Sequence, residues 1–179
     1  MDNRIIIIGN IIAFFGSGGI LISTAVKSKK NILKVQTAAS VFLLISDIVL
    51  SGYSGAVQDL VCILRNLTAI AGKKSKILNA FFIISGVALG VIFNNRGWLG
   101  LLPILANLQF SCVVLYPKSD DVMLKSSTFI ANVCWAIYSL CIFNYVNMVV
   151  NILICVSAAV FVVRELVKRH RGKAEQVSR

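Results

Sequence analysis

Acidic residues are scarce in this chain: 7 Asp and Glu stand against 18 Lys and Arg. All charged residues together make up 14% of the sequence, while 58% is hydrophobic. Soluble domains are roughly 25% charged and about 45–50% apolar, so this composition does not suit the surface of an ordinary soluble enzyme. The same apolar content excludes a disordered chain. Histidine occurs once, as His170, and is expected to be a solvated residue of the C-terminal tail. HExxH and GxSxG motifs are absent, as is any metal-ligand cluster. The chain therefore reads as a non-enzyme with no cofactor and no metal. The cysteines Cys62, Cys112, Cys134, Cys141 and Cys155 form no CxxC pair. All fall in apolar runs, where thiols pack as small apolar groups, and no disulfide framework is expected. Proline is limited to Pro103 and Pro117.

What is present is a series of seven apolar runs: Ile5–Val26, Gln36–Gly52, Gly55–Gly72, Ile77–Phe93, Trp98–Tyr116, Ser126–Phe143 and Val146–Val167. A membrane helix needs roughly 20 mostly apolar residues. The second and third runs hold Asp47, Asp59 and Arg65, and only the turn at Ser51–Ser54 separates them. The connections are short, so adjacent helices are expected to run antiparallel. Arg4 and the apolar stretch after it resemble a signal peptide, but the basic cluster follows that stretch, which favours a span.

The basic residues assign a topology. Lys27, Lys29, Lys30, Lys34, Lys73, Lys74, Lys76, Lys118 and Lys125 share one side with the tail residues Arg164, Lys168, Arg169, Arg171, Lys173 and Arg179. Arg4 and Arg96 lie on the other side, and Arg65 is inside a span. The excess predicts an outside N-terminus and a cytoplasmic C-terminus. The expected partner of the basic tail is anionic membrane lipid, not nucleic acid.

An internal repeat organises the spans. Lys27–Lys34 (KSKKNILK) and Lys118–Lys125 (KSDDVMLK) share four of eight positions at an offset of 91. One extra residue makes the offset 92, matching Tyr53 with Tyr145, Val57 with Val149 and Asp59 with Asn151. Gln36, Ser40, Leu43 and Asp47 then fall on Thr128, Asn132, Trp135 and Ser139. Their 4, 3, 4 spacing is one helical face. Such a stripe either glues helices together or lines a cavity. Its recurrence in both repeats favours a shared central cavity. Two three-helix units joined by a single helix insert the same way up, a device of transporters with a site between the halves. The expected domains are residues 1–72 (first repeat), 73–94 (linker helix), 95–167 (second repeat) and 168–179 (basic tail).

These residues carry a resemblance. Trp135-Ala-Ile-Tyr138 with Asn151, and Lys118-Ser119 with Met123, are similar to signatures of the SWEET and MtN3 sugar-transporter family. Tyr53-Ser54-Gly55-Ala56, Arg65-Asn66 and Leu101-Leu102-Pro103-Ile104 resemble the YgjV family of bacterial inner-membrane proteins. The resemblance spans about residues 5–167. It implies an all-α integral membrane protein of the bacterial inner membrane, with seven transmembrane helices in a 3+1+3 SWEET-like arrangement. It also implies a small polar solute bound between the units, with Asn151 and Trp135 matching the family's pocket residues. Asp59 stands where that family has Asn, and Leu43 where it has Trp.

From physics alone, Asp47, Asp59 and Arg65 are the most informative residues. A charge at the bilayer centre costs at least about 2.5–3.5 kcal/mol on insertion scales. Asp59 and Arg65 are six apart, which excludes an intrahelical pair. Arg65 either snorkels to the cytoplasmic interface or serves a buried role. Two carboxylates at one depth repel if both are ionised, so Asp59, with or without Asp47, is expected to bind a cationic or hydroxyl-rich solute or to couple transport to protons. The expected function is a small-solute transporter or facilitator, with Asp59, Asn151, Trp135, Asn132, Asp47 and Ser139 as candidate substrate-binding residues. A non-transporting receptor or scaffold on the same fold is the alternative. The Gly86-xxx-Gly90 pair is expected to pack a neighbouring helix or a second copy of the protein.

Overall fold

A computed structural model describes residues 2–177 apart from 27, 74, 117 and 119, without the side chains of Thr24, Ala25, Lys29, Lys76, Val114, Leu115 and residues 170–177. Of the basic clusters, Lys27, Lys74 and Arg179 thus lie outside the described residues, as do the side chains of Lys29, Lys76, Arg171, Lys173 and His170.

Seven α-helices run through the described residues: α1 (Asn3–Ala25), α2 (Lys29–Val49), α3 (Tyr53–Ile70), α4 (Lys76–Ile92), α5 (Leu102–Leu115), α6 (Asp121–Cys141) and α7 (Tyr145–Val177). A 3₁₀ turn, Gly97–Leu101, leads into α5. Each apolar run of the sequence corresponds to one helix, but three boundaries differ. Helix α2 starts at Lys29, not Gln36, and α6 starts at Asp121, not Ser126. A charge-free window ends a run at the first lysine, whereas lysine is a good helix former and continues the helix past the apolar segment. Asp120 fixes the start of α6 by accepting the Met123 N–H at 2.8 Å. Helix α7 runs on through Val177, so the residues read as a tail extend it. There Arg169 pairs with Asp120 at 3.0 Å and with Glu165 at 3.8 Å.

Each helix packs on the next within α1–α2–α3 and within α5–α6–α7. Helix α3 also meets α5, and α1 meets α7, so the order α1–α2–α3–α5–α6–α7 closes on itself. Helix α4 lies against α3 and α5. Gly86 and Gly90 of α4 are points of close approach within the chain. A Cβ on Gly90 would meet Gln58 Nε2 at 2.7 Å and Ile104 Cγ1 at 2.8 Å.

The distribution of polarity is inverted relative to a soluble protein. Ser17, Ser46, Asp47, Ser54, Gln58, Asn66, Ser139, Asn144, Asn147 and Asn151 are buried. Ile11, Phe14, Ile77, Phe81, Ile84, Ile92 and Val163 are exposed, Ile77 at 83%. Water does not favour an outer surface of this kind, whereas hydrocarbon does. Three helices are long and apolar enough to cross a membrane by length and composition: Asn3–Ser23, Lys30–Val49 and Tyr145–Arg169. Ile77–Ile92 and Gly97–Val113 are shorter apolar helical segments.

Candidate functional site

One end of the bundle is tied together by hydrogen bonds between helices. The first N–H groups of a helix lack partners in their own helix, and here side chains of other helices supply them. The Tyr138 hydroxyl of α6 accepts the Gly55 N–H at 3.0 Å, and the Ser54 hydroxyl lies 3.3 Å from it. Reciprocally, Asn10 of α1 accepts the Val146 N–H of α7 at 3.0 Å and donates to the Phe143 carbonyl at 2.7 Å. Arg96 donates to the Leu50 and Ser51 carbonyls, and Asn95 also donates to Ser51. Leu50, Tyr138 and Ile142 form a fully buried plug beside these bonds. This end is closed.

Beneath the plug lies a buried polar network. Asn144 donates to Ser46 Oγ and to Asp47 Oδ1, both at 3.3 Å. Ser46 donates to the Gly9 carbonyl at 2.8 Å. Asn147 donates to Ser139 Oγ at 3.1 Å and accepts from Ser17 at 3.2 Å. Four helices, α1, α2, α6 and α7, thus share one network. The second carboxylate oxygen of Asp47 is buried without a hydrogen-bond partner among the described residues. It faces Gly55, where any Cβ would collide with it.

The residues singled out in the sequence have different surroundings. Asp47 and Ser139 join this network through Asn144 and Asn147. Asp59 is buried at 8% exposure, and its electrostatic neighbour is Asp47. Trp135 stacks edge-on against Tyr138 at 6.0 Å. Asn132 and Asn151 donate to carbonyls of their own helices, Thr128 at 2.7 Å and Asn147 at 2.8 Å. The α2 stripe packs on neighbouring helices: Gln36 reaches Ser23 of α1, Ser40 reaches Cys62 of α3, and Leu43 fills the notch at Gly16. Asn144, Asn147 and Ser17 escaped the sequence reading, and Tyr138 entered it only as part of a motif. Asn144 looked like a loop residue, yet its side chain also caps α7 by accepting the Asn147 N–H at 3.2 Å. An Asn before an apolar run is a helix-start signal that was available.

A cavity of about 660 Å³ opens among α2, α3, α4 and α5. Its floor is polar: Gln58 donates to the Gly86 carbonyl at 2.7 Å and accepts from Asn107 at 3.0 Å, joining α3, α4 and α5. Lys30, Lys73 and Asn79, near the lysine-rich ends of α2, α3 and α4, also line it. Arg65 lines its wall; the six candidate substrate-binding residues are not among its lining.

A closed helical bundle with polar residues inside and an apolar exterior is a helical membrane protein. A family model described as Imp-YgjV, bacterial inner membrane protein, matches residues 7–169. The chain belongs to that family. Comparison with curated proteins and with solved structures gave no match.

Proposed function

We propose that this protein is a small-solute transporter or facilitator of SWEET-like type, in which all seven helices cross the membrane. In this reading α1–α3 and α5–α7 are parallel repeats joined by α4, and the lysine-rich end is cytoplasmic with the N-terminus outside. The observation that carries the reading is the cavity. It sits where α3 of one unit meets α5 of the other and its lining reaches Lys30 and Lys73 at the lysine-rich end, while hydrogen bonds tie the opposite end together. Parallel-repeat transporters bind solute at the junction of the halves, and a volume of this size falls in the usual range for ligand pockets, about 300–1,000 Å³.

The repeat has support in the backbone. Helices α2 and α6 each have 21 residues and match at an offset of 92 from Lys29 and Asp121 onward, which moves the extra residue of the repeat into the loop ahead of them. Alternating access then consists of breaking the Tyr138 and Asn10 bonds as the halves rock. Asp59, Asp47, Ser139, Asn151, Trp135 and Asn132 line the path that opens, and the buried carboxylates Asp47 and Asp59 couple it to protons. The protein has no catalytic role in this reading.

The test is thiol labelling in a variant whose five native cysteines are replaced. Ser111→Cys, in the cavity, and Asn151→Cys, in the opposite half, are probed with an impermeant maleimide from each membrane face. Labelling that switches faces with added solute supports transport. Access from one face under every condition supports the receptor or scaffold alternative. Asp59→Asn is expected to flatten the pH dependence of uptake into proteoliposomes, and an unchanged profile removes Asp59 from the coupling. A cytoplasm-dependent reporter fused after Arg179 is expected to be active; its silence would reverse the orientation.

A further inference from the structure

The charged residues that line the cavity are all cationic. Lys30, Arg65 and Lys73 contribute three cations to its lining, and no acidic residue is among the lining residues. Arg65 lies about 7–8 Å before the last residue of α3, Ile70, at roughly 1.5 Å per residue. A guanidinium carries five N–H donors in a fork that fits two oxygens at once. Here its side-chain hydrogen bond is to Cys62 Sγ at 3.8 Å. Asn66 donates to the same sulfur at 3.8 Å, and Ser40 at 4.0 Å. Three donors therefore converge on one thiol, a weak acceptor. A cation inside a membrane protein normally pairs with a carboxylate or faces water; the salt bridges among the described residues both belong to Arg169, far from this cavity.

We infer that the cavity binds a small anion bearing a carboxylate or phosphate group, with its oxygens on Arg65 and Asn66. Lys30 and Lys73 draw it in by charge from the lysine-rich side. Ser111 and the hydrogen-bonding capacity that the Gln58–Asn107 pair has left are placed to meet hydroxyl or carbonyl groups on the rest of the molecule. Bound oxygens replace Cys62 Sγ as the acceptor, and the paired guanidinium no longer stands uncompensated. The inference deepens the transport reading by naming the substrate class, and it departs from the cationic solute that Asp59 suggests. The same chemistry comes from two sources, a soluble anion or the phosphate of an anionic lipid.

The experiment uses the purified full chain in detergent at constant ionic strength. Thermal unfolding is followed with sodium phosphate and with sodium succinate, against sodium chloride, putrescine and glucose. Saturable stabilisation is expected with phosphate or succinate alone. Arg65→Gln is expected to weaken it about ten- to a hundredfold, the effect of losing one charge-assisted contact. Arg65→Lys keeps the charge and retains part of the binding, which separates loss of the site from loss of the fold. Phosphatidylglycerol retained by wild type and lost from Arg65→Gln, read by mass spectrometry, assigns the site to lipid and sustains the anion inference. Stabilisation by putrescine or glucose alone overturns it. So does an anion effect that survives in Arg65→Gln, or the absence of both anion and lipid binding. Uptake assays separate the two readings. Anion binding without uptake leaves the site and removes the transporter; uptake of a neutral or cationic solute without anion binding does the reverse.

Discussion

Ser51 and Phe143 stand at equivalent points of two helical turns and hold the same left-handed backbone, with φ of 56° and 62°. The hydrogen bonds around them correspond as well. Gly52 N–H donates to the Asp47 carbonyl at 2.6 Å, as Asn144 N–H does to Ser139 at 2.8 Å. Ser51 N–H reaches the Ile48 carbonyl at 3.0 Å, as Phe143 N–H reaches Leu140 at 3.1 Å. Two turns with no residue identity at these positions close in the same way. A left-handed backbone costs a non-glycine residue on the order of 1–3 kcal/mol. Ser51→Gly is therefore expected to stabilise the protein by about 1 kcal/mol, and Ser51→Val to destabilise it by more than that. Thermal unfolding in detergent checks both. Equal stability of the two variants would mean that the turn relaxes.

Gly55 is required by its neighbours rather than by its backbone. A Cβ there would run into Asp47 Oδ2 and would sit 2.6 Å from the Tyr138 ring. Both neighbours are buried and held in place by other bonds. Gly55→Ala is expected to destabilise by about 1–3 kcal/mol, the usual cost of overpacking. Gly18, by contrast, has nothing within 4 Å of an added Cβ. Gly18→Ala should stabilise α1 by up to about 1 kcal/mol through helix propensity. The pair is compared by the unfolding midpoint, and the same sign for both would contradict the packing argument.

Asp120 predicts a pH effect at the lysine-rich end. The Met123 N–H and then the Arg169 guanidinium hold its carboxyl below the usual carboxylate range. A carboxyl depressed in the folded protein contributes stability above its unfolded value of about 3.9. That contribution is lost as the pH falls through the lower folded value. The pair is solvent-exposed, so the effect is small. Asp120→Asn retains a capping side chain and is expected to flatten the acid limb of the unfolding midpoint against pH. A profile identical to wild type would show that neither contact favours the ionised form.

The helices were legible in the sequence because each contains an apolar run with few or no charges. Their ends were less legible: Lys29 and Asp121 begin helices that composition places seven and five residues later. The reading of an internal repeat rests on the identities that Lys27–Lys34 and Lys118–Lys125 share. Arg65 was singled out as a buried charge, and it lines the large cavity. The cavity itself was not legible. Gln58 and Asn66 lie on α3 and Asn107 on α5, and Gln58 and Asn107 meet only once α3 and α5 pack together. Asn132 was read as part of a polar face and Asn151 as a pocket residue, but each spends its amide on its own helix. Periodicity shows which face a residue occupies, not whether its hydrogen bonds go outward or back along the helix.

Tyr138 is the bolt whose removal bears most directly on function. Its ring is fully buried in the plug with Leu50 and Ile142, and its oxygen serves Gly55 and Ser54 of the other half. Tyr138→Phe keeps the ring and removes the oxygen. The Gly55 N–H lies in the first turn of α3, where no carbonyl of its own helix can accept it. A buried donor left without a partner costs about 1–3 kcal/mol. That cost falls only on the closed arrangement, because a rocked-open end exposes the same N–H to water. The variant is therefore expected to shift the population toward opening at this end. Labelling of Asn151→Cys by an impermeant maleimide should become faster, while labelling of Ser111→Cys from the lysine-rich side slows. Asn10→Ala, which removes the reciprocal bonds to Phe143 and Val146, should act in the same direction. A loss of thermal stability with both labelling rates unchanged would make Tyr138 part of the scaffold and not of a gate.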